Sequence, residues 1–211
     1  MRRLPVYFLL DTSGSMYGTS IVALNNSLSE MIGTLRQDPQ AIESVWISII
    51  TFDITAKEII PLSSLDSFQL PEITCPKSGP THTGEALSLL QKKVTTDVKK
   101  GTPDQKGDWK PLLFIFTDGT PNDKKLYREM IPEIKKLNFG IIVGCAAGVI
   151  SDEEILRELC DNVVQIDTAD ASTLKQFFKW VSETIDHGNK SMGTGEKVSL
   201  PPPPNDINLV I

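Results

Sequence analysis

Asp11, Ser13 and Ser15 occur as D-T-S-G-S directly after the apolar run Val6-Tyr7-Phe8-Leu9-Leu10. One carboxylate and two hydroxyls therefore stand where a buried strand stops and before the next helix begins. Hard oxygen donors on a short turn suit a small hard cation such as Mg²⁺, with Mn²⁺ and Ca²⁺ as related choices, better than zinc or copper. Two further turns share this character. Gly79-Pro80-Thr81-His82-Thr83-Gly84 adds hydroxyls at a helix start, and Thr117-Asp118-Gly119 closes the run Leu112-Leu113-Phe114-Ile115-Phe116 with a second carboxylate. Together the three turns predict one divalent-cation site made by Asp11, Ser13, Ser15, Thr81 and Asp118.

Each part has a plainer meaning when taken alone. Asp and Ser are common helix caps, and Asp-Gly is an ordinary turn. The coincidence of three such turns favours the metal. Thr81 and Thr83 flank His82, and either hydroxyl could cap the helix that begins near Gly84. Asp53 also follows a strand, but T-F-D matches no other part of the pattern and reads as a solvated turn residue. Tyr17, His82 and Asn122 border the ligand turns and are read as rim residues able to touch a partner, against the alternative of exposed loop positions with no role. Trp46, Trp109 and Trp180 read as core or loop-anchoring groups.

The elements that must position these turns alternate along the chain. Strands are expected at Val6–Leu10, Val45–Phe52, Ala56–Leu62, Pro111–Thr117, Phe139–Ala146 and Val163–Ile166, the second and third close enough to pair as a hairpin. Helices are expected at Ser20–Leu35, Gly84–Val98, Lys124–Leu137 and Ala171–Ile185, with Pro132 expected to kink or interrupt the third. Ser151-Asp152-Glu153-Glu154 reads as a capping box opening a further helix to Cys160. Continuous apolar strands between amphipathic helices predict an α/β fold: a doubly wound, mostly parallel sheet with helices on both faces and one antiparallel edge strand. Ligands of such sheets lie beyond the carboxyl ends of the strands, where Asp11 and Asp118 stand. Residues 1–187 form the expected domain. Residues 188–211 read as a Gly/Ser/Lys-rich linker and a Pro-rich tail, either flexible or docked on this chain or a neighbour.

Composition sets the class. The 211 residues suffice for one domain with a full core, and 40% hydrophobic with 23% charged residues is ordinary for a globular protein. A net charge of −6 argues against a nucleic-acid partner. Three scattered cysteines, Cys75, Cys145 and Cys160, fit a reducing cytoplasm. No apolar run approaches the ~18 residues of a membrane span, and Asp11 interrupts the first run too early for a signal peptide.

The three motifs resemble the von Willebrand factor type A domain over roughly residues 4–186. The resemblance implies a metal-ion-dependent adhesion site with Asp11, Ser13 and Ser15 at the D-x-S-x-S positions, Thr81 as its threonine and Asp118 as its late aspartate. It favours Thr81 over Thr83, and it places a proline, Pro80, inside the usual G-G-T. The opening R-R-L-P-V-Y-F-L-L-D-T-S-G-S-M further resembles the bacterial TerY-like proteins of tellurium-resistance and stress-response clusters. That implies an adaptor acting beside a protein kinase and a protein phosphatase.

Mg²⁺ takes six oxygens, and these turns offer at most five side chains. An open position remains, which an Asp or Glu carboxylate of a protein partner would fill. The expectation is therefore a binding module and not an enzyme. The alternative is a metal-dependent phosphohydrolase. It would want an acid/base carboxylate two residues after Asp11, where Ser13 stands. A nucleotide-binding site is not expected either, because no phosphate-binding glycine motif follows the first strand.

Overall fold

The computed structural model describes residues 2–148, 153–166, 168–191, 200–204 and 208–210. Strand β1 (Leu4–Asp11) is buried along its whole length. Its alternating side chains feed two cores. Val6, Phe8 and Leu10 pack with α1 (Thr19–Leu35) and α6 (Ala171–Ser191), while Tyr7 and Leu9 pack with α3 (Thr83–Asp97) and α4 (Lys124–Lys135). A strand covered on both faces has no polar side to spare, hence its unbroken apolar run.

The described residues form a seven-stranded sheet in the order β3-β2-β1-β4-β5-β6-β7. β2 (Val45–Phe52), β1, β4 (Leu112–Thr117), β5 (Ile141–Ala147) and β6 (Asn162–Ile166) run parallel. β3 (Ala56–Ser64) supplies the expected antiparallel edge. After β1 the chain moves to β2 on one side, yet β1 meets β4 on the other. Strand order thus reverses between β1 and β4, and a crevice opens beyond their carboxyl ends.

Several details depart from the sequence expectations. A short helix, α2 (Pro39–Ser44), precedes β2; Asp38 caps it through Gln40 N, and Pro39 occupies its first turn. Six residues are too few to show helical periodicity, so only the cap and the proline marked it. Pro132 does not interrupt α4, which continues to Lys135. Helix α5 spans Glu153–Arg157; Ser151 and Asp152 of the expected capping box lie outside the described residues. Helix α6 runs to Ser191, past the expected boundary at residue 187.

The tail returns to its own domain. Trp180, fully buried, donates from Nε1 to the Pro201 carbonyl at 2.9 Å, and Leu200 packs on the core beside it. Asn208–Val210 then forms β7, antiparallel to β6 with Val164 opposite Leu209, so the sheet has a second antiparallel edge. Three residues at a chain end carry no readable strand period.

Candidate metal centre

Asp11 ends β1 and Thr117 ends β4, side by side in the parallel register that pairs Leu10 with Phe116. Their side chains join: Thr117 Oγ1 donates to Asp11 Oδ2 at 2.6 Å, and Ser13 N donates to Asp11 Oδ1 at 2.8 Å. Asp11 is inaccessible to solvent. Burial pushes its carboxyl up to about 6, against the pull of the Thr117 and Ser13 hydrogen bonds, and Asp118 adds a like charge. Thr12 pins the turn to the other neighbour strand, with N and Oγ1 both donating to Phe52 O.

The hydroxyls form a directed chain. Ser15 Oγ donates to Asp118 Oδ1 at 2.7 Å, and Ser13 Oγ lies 3.0 Å from Ser15 Oγ. A hydroxyl has one hydrogen, and Ser15 spends it on the carboxylate, so Ser13 is the donor of the second bond. Both serines thus keep oxygen lone pairs available to a cation. Asp118 is half-buried, and burial raises its carboxyl above the usual range while the Ser15 bond opposes this.

Thr81 reaches the same place from the α3 side. Asn122 grips its backbone twice: Thr81 N donates to Asn122 Oδ1 at 2.7 Å, and Asn122 N donates to Thr81 O at 2.8 Å. A Cβ on Gly119 would stand 3.0 Å from Thr81 Oγ1, so the threonine hydroxyl lies against the backbone that follows Asp118. Gly14 touches the 78–79 backbone, donating from N to Gly79 O at 3.4 Å. All five predicted ligands therefore belong to three turns in mutual contact.

The supporting residues are those the sequence disclosed least. Helix α3 is not capped by Thr83. Its first amides, Gly84 N and Glu85 N, donate to the two oxygens of Asp123, at 3.1 and 2.9 Å. Thr83 is fully buried and its hydroxyl has no partner among the described residues. Asp53 is more than a solvated turn residue, because its carbonyl accepts from His82 N at 2.8 Å and so fixes the start of α3. Cys75 stands within electrostatic reach of Asp118 and Asp11; burial first, then those charges, raise its thiol and keep it protonated. Thr117 was legible as the hydroxyl ending a strand. Nothing in the spacing distinguished Asp123 or Cys75.

Of the three rim residues, Tyr17 is exposed, with the Lys77 ammonium 5.9 Å from its ring centroid. His82 is half-buried and its Nδ1 lies 3.0 Å from Ile54 O. Asn122 is exposed but serves the site from within, by holding Thr81. Asn122→Ala is therefore expected to destabilise the domain by ~1–2 kcal/mol and to weaken cation binding roughly five- to tenfold. Calorimetric Mg²⁺ titration checks this. Affinity unchanged in that variant would return Asn122 to a rim role alone.

A family model, the von Willebrand factor type A domain, matches residues 6–195. The chain belongs to this family. Solved type A structures share the fold at low identity. A proximal thread matrix protein from the mussel byssus, described with a zinc-occupied metal-ion-dependent adhesion site, has a TM-score of 0.63 at 15% identity over 86% of this chain and 47% of its own. The PilB minor pilin of Streptococcus sanguinis has 0.67 at 14% over 92% and 63%. The ArnB paralog VWA2 of Sulfolobus acidocaldarius has 0.60 at 18% over 87% and 45%. The chain thus spans about half the length of these proteins or somewhat more. Among curated protein sequences none matches.

The donor set of this type A domain fits a divalent cation. Asp11 and Asp118 have no ion-pair partner among the described residues, so two carboxylates and three hydroxyls converge without a positive charge. No group of three or more His, Cys, Asp or Glu side chains converges among the described residues either, so the hydroxyls are indispensable to any such site. A bound cation would supply a Lewis-acidic position open to one further oxygen. The chain's residues hold that position: Asp11 and Thr117 fix the first turn, Ser15 ties it to Asp118, and Asn122 and Gly119 seat Thr81.

Proposed function

We propose that this type A domain is a Mg²⁺-dependent adaptor that captures an acidic side chain of a protein partner. The observation that carries the reading is the partial charge balance of the site. Two carboxylates and three neutral hydroxyls leave a divalent ion short of both a ligand and full neutralisation, and a partner carboxylate provides both. The all-oxygen donor set agrees with a hard ion over zinc.

Among the described residues no histidine or lysine bonds to the Ser13 or Ser15 hydroxyl, which supports binding over catalysis. Ser13 stands where an acid/base carboxylate would be needed. The opening residues 2–16 support the finer assignment to a TerY-like protein of a bacterial tellurite-resistance and stress-response system, with its protein kinase and phosphatase as partners. Three free cysteines, Cys75, Cys145 and Cys160, support work in a reducing cytoplasm.

The test uses that kinase and phosphatase, immobilised, with the full chain as analyte. Binding is expected in Mg²⁺, and loss of binding in chelator and in the Ser13→Ala/Ser15→Ala variant. Binding indifferent to both would overturn the reading. So would robust Mg²⁺-dependent hydrolysis of a generic phosphoester that Asp11→Ala abolishes.

A further inference from the structure

The opposite pole of the sheet holds a second, differently charged feature. Arg2 and Arg3 precede β1, Lys99 and Lys100 follow α3, and Lys106 and Asp108 precede β4, so all lie at the amino ends of the strands, away from the metal centre. These six residues line a concavity of about 700 Å³. In a chain of net charge −6 it carries five cationic side chains against one carboxylate.

That carboxylate is already engaged. Asp108 Oδ1 accepts from Arg3 Nε at 2.9 Å, its Oδ2 accepts from Arg3 Nη2 and from Lys99 N, and its side chain is only 4% exposed. Arg2 is held by the Gly107 and Asp108 carbonyls and lies over the Trp109 ring, 3.5 Å from its centroid. Lys99, Lys100 and Lys106 are exposed and have no ion-pair partner among the described residues. The loop that carries them is closed on itself. Thr102 and Gln105 exchange backbone hydrogen bonds, Asp108 N donates to Lys99 O at 2.8 Å, and a Cβ on Gly107 would fall 2.3 Å from Gly101 N.

We propose that this pocket binds a compact polyanion carrying two or more phosphate groups. Three uncompensated ammonium groups on one ordered loop concentrate positive charge in a ligand-sized space. Phosphate offers the matching density, up to about two negative charges and three strong acceptor oxygens per group. Lysine meets phosphate as a point charge and needs no planar geometry. The Trp109 face is covered by Arg2, so the pocket offers no free aromatic surface for a base. An extended nucleic acid would meet the negative field of the rest of the chain, which favours a compact ligand.

The test is calorimetric titration of the full chain with tripolyphosphate in Mg²⁺-free buffer, against sulfate at matched ionic strength and against a short DNA duplex. Saturable one-to-one binding of tripolyphosphate is expected, weakened by salt. It should fall at least about tenfold in Lys99→Gln/Lys100→Gln/Lys106→Gln. The variant should keep the wild-type circular dichroism and melting temperature, since the three side chains are exposed. Absence of saturation, equal binding by the triple variant, or duplex binding as tight as tripolyphosphate would each overturn the proposal.

Discussion

Asp11→Asn is expected to raise the stability of the metal-free domain and, in the same step, to abolish its response to Mg²⁺. Asp11 is a buried carboxylate whose pKa is lifted from 3.8 to about 6 by desolvation. An acid lifted in this direction binds more protons when folded than when unfolded. Stability of the metal-free wild type therefore declines as pH rises from near 4 to near 6, and stays low above that. The cost at neutral pH is on the order of 2–3 kcal/mol. Asparagine removes the charge and keeps the contacts. Its Oδ1 accepts from Ser13 N, and its amide donates to Thr117 Oγ1, whose hydrogen can turn to the Gly119 carbonyl 3.1 Å away.

Mg²⁺ offsets that advantage. At a hundredfold excess over its dissociation constant, a ligand specific for the folded state stabilises by about 2.7 kcal/mol, which the wild type gains and the variant forgoes. Thermal melts from pH 5 to 8, with and without Mg²⁺, read all of this. Equal Mg²⁺ stabilisation of both proteins would remove Asp11 from the metal centre. Alanine is the poorer probe, because Asp11 is fully buried. Asp11→Ala would leave Ser13 N and the Thr117 hydroxyl without their acceptor inside a dry site.

The burial of Asp11 shows where sequence reading reaches and where it stops. The sheet was legible because β1, β2, β4 and β5 are apolar on both faces, a property of the residues themselves. The candidate metal centre is legible because its oxygen donors are short polar residues on turns that interrupt those runs. Both signals are local in the chain. The partners of the donors are not local. Thr81 is held by Asn122, 41 residues away, and α3 is capped by Asp123, 39 positions after Gly84, in place of its own Thr83. A cap borrowed from another loop leaves no periodic or spacing mark. Strand β7 escaped for a different reason: its register comes from the free edge of β6, so its few residues encode little of it.

Gly14→Ala is expected to damage the metal centre severely while leaving all five oxygen donors in the sequence. A Cβ at position 14 would stand 2.4 Å from Ser78 Cα, 2.8 Å from Gly79 N and 2.9 Å from Ser78 C. All three are backbone atoms, so no side chain can swing aside; the 78–79 backbone must retreat. Thr81 lies two residues further along that backbone and is held in place from the other side by Asn122. Either the turn distorts or the Asn122 grip breaks, and in both cases Thr81 Oγ1 leaves the serines. Overpacking of this kind costs ~1–3 kcal/mol, which corresponds to a loss of roughly 5- to 150-fold in cation affinity where the strain falls on the site. Gly33→Ala is the matched control. Gly33 lies in α1 with nothing within 4 Å of an added Cβ, so alanine there should stabilise the helix by up to ~1 kcal/mol and leave Mg²⁺ binding unchanged. Wild-type Mg²⁺ affinity in Gly14→Ala would mean that the first and second ligand turns do not touch in solution. Loss in Gly14→Ala with retention in Gly33→Ala would show that backbone contact between the turns, and not the donor residues alone, makes the site.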